Sequence, residues 1–389
     1  MDPTPVRHLT RTTARPAASR SLAPDLSRGL ILAWIAVANS MAFLIARPYG
    51  YRQHIVEHDV IDRVTSVLVV AFVDGRAYPL FAFLFGYGVI QLMRHQEARG
   101  VTPDERRRVL RRRSLALLAI GFGHAMLFFP GDILGTYAVL GLVLLVLLRF
   151  SDRRLVRIAV WGAVIATLVN GVVYGAPGAG ERQFLWSLEM SSVGDILVLR
   201  PVEWLMSPFA LLQVVPAVLL GVLAARRRVL EHPDQRLPLL RRAALICVPV
   251  GILGGLPSGL AVVGVIHIEE FGTGAALAML HSASGLVAGL GLVAAIAWFS
   301  ACTANGPVVQ ALAALGRCSL SGYLALSAVF AVLLSPLGLG LGTTLGTTAA
   351  AALALATWGV TIGLAVAVRR MGRRGPAETL LRGLTYGRP

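Results

Sequence analysis

Residues 114–148 read SLALLAIGFGHAMLFFPGDILGTYAVLGLVLLVLL, and the reading of this stretch decides the fold. Two apolar runs, 114–129 and 133–148, are separated only by Pro130, Gly131 and Asp132. Each approaches the length of about 20 residues that a helix needs to cross the hydrocarbon of a bilayer. The Pro-Gly-Asp turn supplies a sharp reversal, and the Asp132 carboxylate stands where it can accept from the first amides of the second helix. The stretch therefore predicts a membrane hairpin of two helices.

Working outward, runs of this kind recur over the rest of the chain, at 30–46, 68–93, 158–174, 204–225, 243–266, 274–299, 319–335 and 346–368. Of the 389 residues 56% are hydrophobic and 14% charged, against roughly 25% charged in an ordinary soluble domain. In lipid the backbone must satisfy its own hydrogen bonds, which helices do locally. The fold class that follows is all-α: a polytopic integral membrane helical bundle of about ten transmembrane helices. Its parts are an Arg-rich disordered cytoplasmic leader over 1–28, a membrane domain over 29–370 and a cytoplasmic amphipathic tail over 371–389.

The net charge of +16 comes from 36 basic residues, all of them arginine. With the N-terminus in the cytoplasm, the inside connections carry 30 of them and the outside ones carry Arg47, Arg52, Arg63, Arg76, Arg182 and Arg200. That bias predicts an N-in, C-in orientation and explains the basicity without a nucleic-acid partner. The leader lacks a small-residue cleavage pattern and reads as uncleaved. Its partner is the lipid bilayer, and the Arg run of 106–113 suits anionic headgroups. Cys247, Cys302 and Cys318 have neither disulfide-framework nor metal-site spacing. Zincin, phosphate-loop and nucleophile-elbow motifs are absent.

Two local interruptions stand out. "DGRAYP", 74–79, breaks the second run and predicts a short outer-face helix at about 61–73 followed by a crossing from about 77. The glycine-rich 335–346 precedes the last crossing. The outer segment 175–203 reads as an interfacial loop with amphipathic helix, its Trp186 and the neighbouring Trp204 marking the headgroup belt.

The stretches "RGLILAWIAVAN", "GRAYPLFAFLFGYG", "GFGHAMLFFPGDILGTYAVLGLV" and "GPAETLLRGLTYG" resemble the successive signatures of the YeiB-like family, bacterial multi-pass membrane proteins with a domain of unknown function. They span nearly the whole chain. The resemblance implies a bacterial plasma-membrane location. The first helices of that family are similar to transmembrane acyltransferases, including the heparan-glucosaminide acetyltransferase type. Arg28 at the cytoplasmic mouth and Asn39 eleven residues on match the heparan-type arrangement. Where that type has a histidine soon after, this chain has Gly50, with His54 and His58 a little beyond.

The candidate residues follow from chemistry and place. His124 sits in an apolar helix just below the outer interface, where an ionisable ring is costly unless it faces protein or water. Asp132, eight residues on, caps the next helix and can orient that ring. On the acyl-transfer reading His124 or His54 is the general base, Asn39 steadies the developing oxyanion, and Arg28 holds the cytoplasmic end of an acyl thioester. Acyl-CoA is then a co-substrate, no cofactor is resident, and the acceptor is a small molecule, glycan or lipid. Asp74 and Arg76 are candidates for holding an anionic group, or pair with one another at the interface. The alternative reading is transport of a small solute or lipid precursor, with the same polar residues and the broken helix lining the path. His281 reads as a packed polar residue, as do Asn170 and Asn305. Oligomeric state has no signature.

Overall fold

A computed structural model describes residues 22–178, 180–206, 211–303 and 306–387; the N-terminal part of the leader, 1–21, and Asn305 lie outside them. Fourteen α-helices follow one another among the described residues: α1 (Leu22–Ala42), α2 (Val60–Phe72), α3 (Ala77–Glu97), α4 (Pro103–Leu127), α5 (Ile133–Leu147), α6 (Asp152–Tyr174) and α7 (Val193–Met206) in the first half. The second half holds α8 (Leu211–Arg226), α9 (Leu237–Val262), α10 (Phe271–Cys302), α11 (Pro307–Arg317), α12 (Ser319–Leu333), α13 (Thr347–Arg370) and α14 (Pro376–Tyr386). The all-helical class is as expected, and a helix occupies each of the ten apolar runs.

Among the described residues five helical segments are long and apolar enough to cross a membrane: 60–97, α6, the 233–262 segment, α10 and α13. A sixth arises if α11 and α12, bent by 83° at their junction, form one span. α5 and α8 are apolar but shorter. Large apolar side chains face outward on these elements, among them Trp161, Leu168 and Val172 of α6 and Val360 and Leu364 of α13. So much exposed apolar surface is stable only in an apolar solvent.

Local chemistry sets the helix ends. Thr102 and Glu105 form a reciprocal capping box at the start of α4, with Pro103 in its first turn. Asp59 caps α2 by accepting from the amides of Ile61 and Asp62. Between α2 and α3 the chain turns at Gly75, whose φ of +73° is the left-handed conformation that suits a residue without Cβ. The predicted interruption at 74–79 is thus present. α2 runs antiparallel along α9: Arg63 donates to the Val263 carbonyl at one end, and Arg76 to the Gly251 carbonyl at the other, both at 2.9 Å.

One boundary requires correction. The leader expected to stay disordered to residue 28 is helical from Leu22, with Asp25 and Leu26 buried. The reason is local and tertiary together: Asp25 pairs with Arg28 one turn on at 3.4 Å, and Gly316 of α11 packs against the Asp25 carbonyl. At its other end α1 stops at Ala42, short of the expected 46, as Phe43 and Leu44 turn ahead of Pro48.

The connections fall into two groups. Segments 43–59, 175–189, 263–274 and 342–348 bond one another: Tyr49 pairs with Gly180, Tyr51 donates to the Gly274 carbonyl, Arg47 pairs with Glu57, and Glu57 accepts from the Thr347 amide. At the opposite end Arg94 donates to the Ala225 and Arg226 carbonyls, Arg226 to the Phe150 carbonyl, and Arg369 to Gln310. α14 docks there, burying Ala377, Leu381 and Thr385 on one face, while Glu378 accepts from the amides of Leu320 and Ser321 at the start of α12.

Candidate functional site

Two polar clusters lie inside the helical bundle. The larger one forms where α2 breaks into α3. Asp74 ends the break with its carboxylate turned toward the segment before α2. Its Oδ2 lies 2.9 Å from Arg52 Nη2 and 3.3 Å from Arg52 Nε, 3.6 Å from His281 Nε2 and 3.7 Å from His54 Nε2. Arg76, 1% exposed, donates from Nη1 to the Asp74 carbonyl and from Nη2 to the Gly251 carbonyl; Nη1 also lies 2.8 Å from His281 Nε2. The close fit depends on Gly255, where a Cβ would overlap Arg76 Nη2.

Arg52 comes to this cluster from an unusual backbone: its φ is +57° and that of Gln53 +62°, left-handed conformations that cost energy for residues with side chains. Its guanidinium also covers the Tyr174 ring at 4.6 Å. The cluster opens on a cavity of about 80 Å³ lined by Arg52, Asp74, Tyr78, Asn170, Tyr174 and His281. Arg52 meets the Asp74 carboxylate there, while Arg76 is held on the Asp74 and Gly251 carbonyls. Arg52 Nη1 and Arg76 Nε are buried N–H donors with no acceptor, an exception to the rule that buried polar groups are paired. Chemically, the arrangement offers charge-assisted hydrogen bonds to an anionic or carbonyl-bearing group.

The second cluster joins α4 and α5. His124 Nδ1 lies 2.9 Å from Asp132 Oδ1, and both side chains are wholly buried. Asp132 also accepts from the Leu134 amide at 3.1 Å and the Gly135 amide at 2.6 Å, as the capping reading expects. Trp204 of α7 adds its indole N–H at 3.4 Å. Gly121 makes room: a Cβ there would meet Asp132 Oδ2 at 2.5 Å. The carboxylate holds Nδ1 as the donor, which leaves Nε2 as the free position, buried and without a partner. Tyr323 of α12 lies against the ring, tilted by 42° with 4.8 Å between centroids.

The structure therefore brings His124 to Asp132 and brings His54, Asp74 and Arg76 into one cluster. Asn39 is buried in α1 but takes part in the hydrogen bonds of neither cluster. Arg28 pairs with Asp25, eleven residues from Asn39 and about 16 Å along the helix. Sequence reasoning missed Arg52, His281, Trp204 and Tyr323. Arg52 stood out only as one of six outside arginines, Trp204 only as an interfacial aromatic, and His281 as a lone histidine on an apolar helix.

Outside the clusters, Tyr49 bonds to Glu189 at 2.7 Å and receives Arg182 Nε at 3.0 Å. Burial, only partly offset by Arg182, pushes its phenol up to about 12.

Comparison with known proteins agrees with the sequence signatures. The chain is 27% identical to "Uncharacterized protein YxaH" of Bacillus subtilis (strain 168), over 84% of this chain and 83% of that one. It is 34% identical to "Uncharacterized 39.9 kDa protein in amylase 3'region" of Bacillus acidopullulyticus over 31% of this chain and 32% of the relative. No solved structure matches. Residues 224–388 match the family model described as "Protein of unknown function (DUF418)", the YeiB-like family whose signatures the chain resembles.

Proposed function

We propose that the protein binds a small anionic solute in the cavity at the α2–α3 break and carries it across a bacterial plasma membrane. The observation that carries the proposal is the break itself. It sets Asp74 beside Arg52 and His281 around a cavity, with Arg76 packed against His281 and the buried Arg52 Nη1 left without an acceptor. Ionisable groups at such depth mark solute and proton paths, and discontinuous helices are the usual frame for them. The solute reaches the cavity from the end that carries 43–59, whose Arg52 and His54 reach Asp74.

The same proposal includes ten crossings with both termini in the cytoplasm. Its support is the arginine bias together with the bonds among 43–59, 175–189, 263–274 and 342–348 at one end of the bundle and those of Arg94, Arg226 and Arg369 at the other.

Acyl transfer to the bound molecule is the second reading, favoured by one observation. His54 and Asp74 stand 3.7 Å apart beside the cavity, an imidazole–carboxylate pair suited to general-base chemistry. In that case acyl-CoA is the co-substrate, reaching the site from the end where Arg28 lies.

Thermal unfolding of the purified full chain with succinate or phosphate tests the binding site: stabilisation of wild type that is lost in Arg52→Gln supports it, and equal stabilisation of both excludes it. Inverted vesicles given labelled succinate or labelled acyl-CoA separate the readings. Accumulation without covalent label supports carriage; covalent label that disappears in His54→Ala supports transfer.

A further inference from the structure

The cavity beside Asp74 is polar at one end and apolar at the other, and three helices give the same order. Along α6 its lining runs Tyr174, Asn170, Thr167, Ala166 and Ala163, about 16 Å of helix leading away from the end that carries 43–59. On α10 His281 and Ser282 precede Leu286, and on α8 Gln213 precedes Pro216, both in that direction. Arg52 stands at the polar end, its side chain 5% exposed and its Nη1 without an acceptor. The apolar end is narrow. A Cβ on Gly162 of α6 would touch Pro216 of α8 at 3.4 Å, and one on Gly289 of α10 would overlap Pro79 of α3 at 2.7 Å. The whole space is about 80 Å³, against the roughly 150 Å³ of a cavity that takes benzene.

Such a lining selects its ligand by charge, shape and size. The open donor at the polar end belongs to a guanidinium, and its charge-assisted bonds to a carboxylate are the strong ones. Arg52 is paired with Asp74, whereas Arg76 is held on two carbonyls and His281 with no carboxylate partner among the described residues. The cluster therefore carries one positive charge in excess, which one negative charge balances. Ala163, Ala166, Pro216 and Leu286 offer no partner to a second charge, and burying one unpaired is costly. Hydrocarbon is favoured there instead, by the area it removes from water.

We infer that the solute of the site proposed above, on which this reading rests, is a short-chain aliphatic monocarboxylate. Its carboxylate accepts from Arg52 Nη1, and its tail lies among Ala166, Leu286 and Pro216. Succinate and phosphate reach the same donor but bring a second charge or no tail, and so bind more weakly.

Thermal unfolding of the purified full chain, at constant ionic strength and over a range of ligand concentrations, gives apparent affinities for acetate, propionate, butyrate, hexanoate, butyramide and succinate. Affinity rises about fourfold for each methylene from acetate to butyrate and gains nothing further at hexanoate. Butyramide, the neutral counterpart, and succinate each bind about tenfold or more weakly than butyrate, and Arg52→Gln loses about tenfold or more of its butyrate affinity. Ala166→Leu fills the apolar end and removes the gain from acetate to butyrate; the series on wild type needs no variant. A wild-type series flat from acetate to butyrate, a gain continuing unchanged to hexanoate, or succinate as tight as butyrate overturns the monocarboxylate class. If that happens while the anions bind wild type and not Arg52→Gln, the solute site stands with another ligand. Anions that bind both proteins alike, or neither, remove the solute site and the monocarboxylate with it.

Discussion

Replacing Asp132 with alanine removes three kinds of partner at once, and the structure gives the size of the effect. The carboxylate caps α5 by accepting from the Leu134 and Gly135 amides. Losing such a cap costs about 1 kcal/mol. It also leaves His124 Nδ1 buried without an acceptor, which costs about 1–3 kcal/mol. The total is roughly 2–4 kcal/mol, the lower end being favoured if bonds in the bilayer are as weak as the mean of about 0.6 kcal/mol measured for other membrane helices. Asp132→Asn keeps an acceptor oxygen and falls between the two. Reversible unfolding in a mixed detergent–SDS titration reads these differences directly. A double variant with His124→Ala checks the pairing: its destabilisation falls short of the sum of the single ones by about 1 kcal/mol, since the two side chains share a bond. Additive effects, or an Asp132→Ala protein as stable as wild type, would refute the pairing.

Three further outcomes follow from the geometry. Gly255→Ala pushes the Arg76 guanidinium off the Gly251 carbonyl, because the new methyl would overlap Nη2; anion stabilisation weakens while the helical content by circular dichroism stays as in wild type. Tyr49, with its phenol held at about 12 in the folded protein, favours the fold below the ordinary phenol range near 10 and loses that contribution as the pH rises through 12. The alkaline loss of stability is therefore smaller in Tyr49→Phe, as unfolding between pH 9 and pH 12 would measure. Glu378→Ala leaves the amides of Leu320 and Ser321 without their shared acceptor, so α14 detaches and the tail becomes several-fold more sensitive to protease; an unchanged cleavage rate removes the docking role.

Much of this architecture is legible in the amino-acid sequence. Pro130, Gly131 and Asp132 suffice for the hairpin of α4 and α5 and for the approach of Asp132 to His124, since a reversal that tight leaves the cap facing the last turn of the preceding helix. Gly75 and Pro79 suffice for the break between α2 and α3. What the break gathers is hidden, because periodicity reports which face is apolar but not which distant helix lies against it. His281 is 205 positions from Arg76 in sequence, with no local pattern linking them. Arg52 is hidden for another reason: charge counting assigns it to topology, and its left-handed backbone leaves no mark in composition. Trp204 looks like a headgroup anchor because an interfacial indole and one that reaches a buried carboxylate have the same sequence surroundings. The early start of α1 is masked by Asp25 and Arg28, charges that suit a solvated leader yet satisfy one another once a helix sets them three apart.

Glu57 and Asp62 both end on the first turn of α13. Glu57 accepts from the amide and hydroxyl of Thr347, and Asp62 from the Thr348 amide at 2.7 Å. Since Asp62 belongs to α2 and Glu57 lies three residues before its first residue, these three bonds, with those of Thr65 to Thr348 and Ser66 to Thr347, fasten the first part of the discontinuous helix to α13. Any swing of α2 that widened the gap beside Asp74 would drag the head of α13 with it, and α13 contacts α1, α11 and α12. The two helices thus form a single lever whose fulcrum is the bend at Gly75.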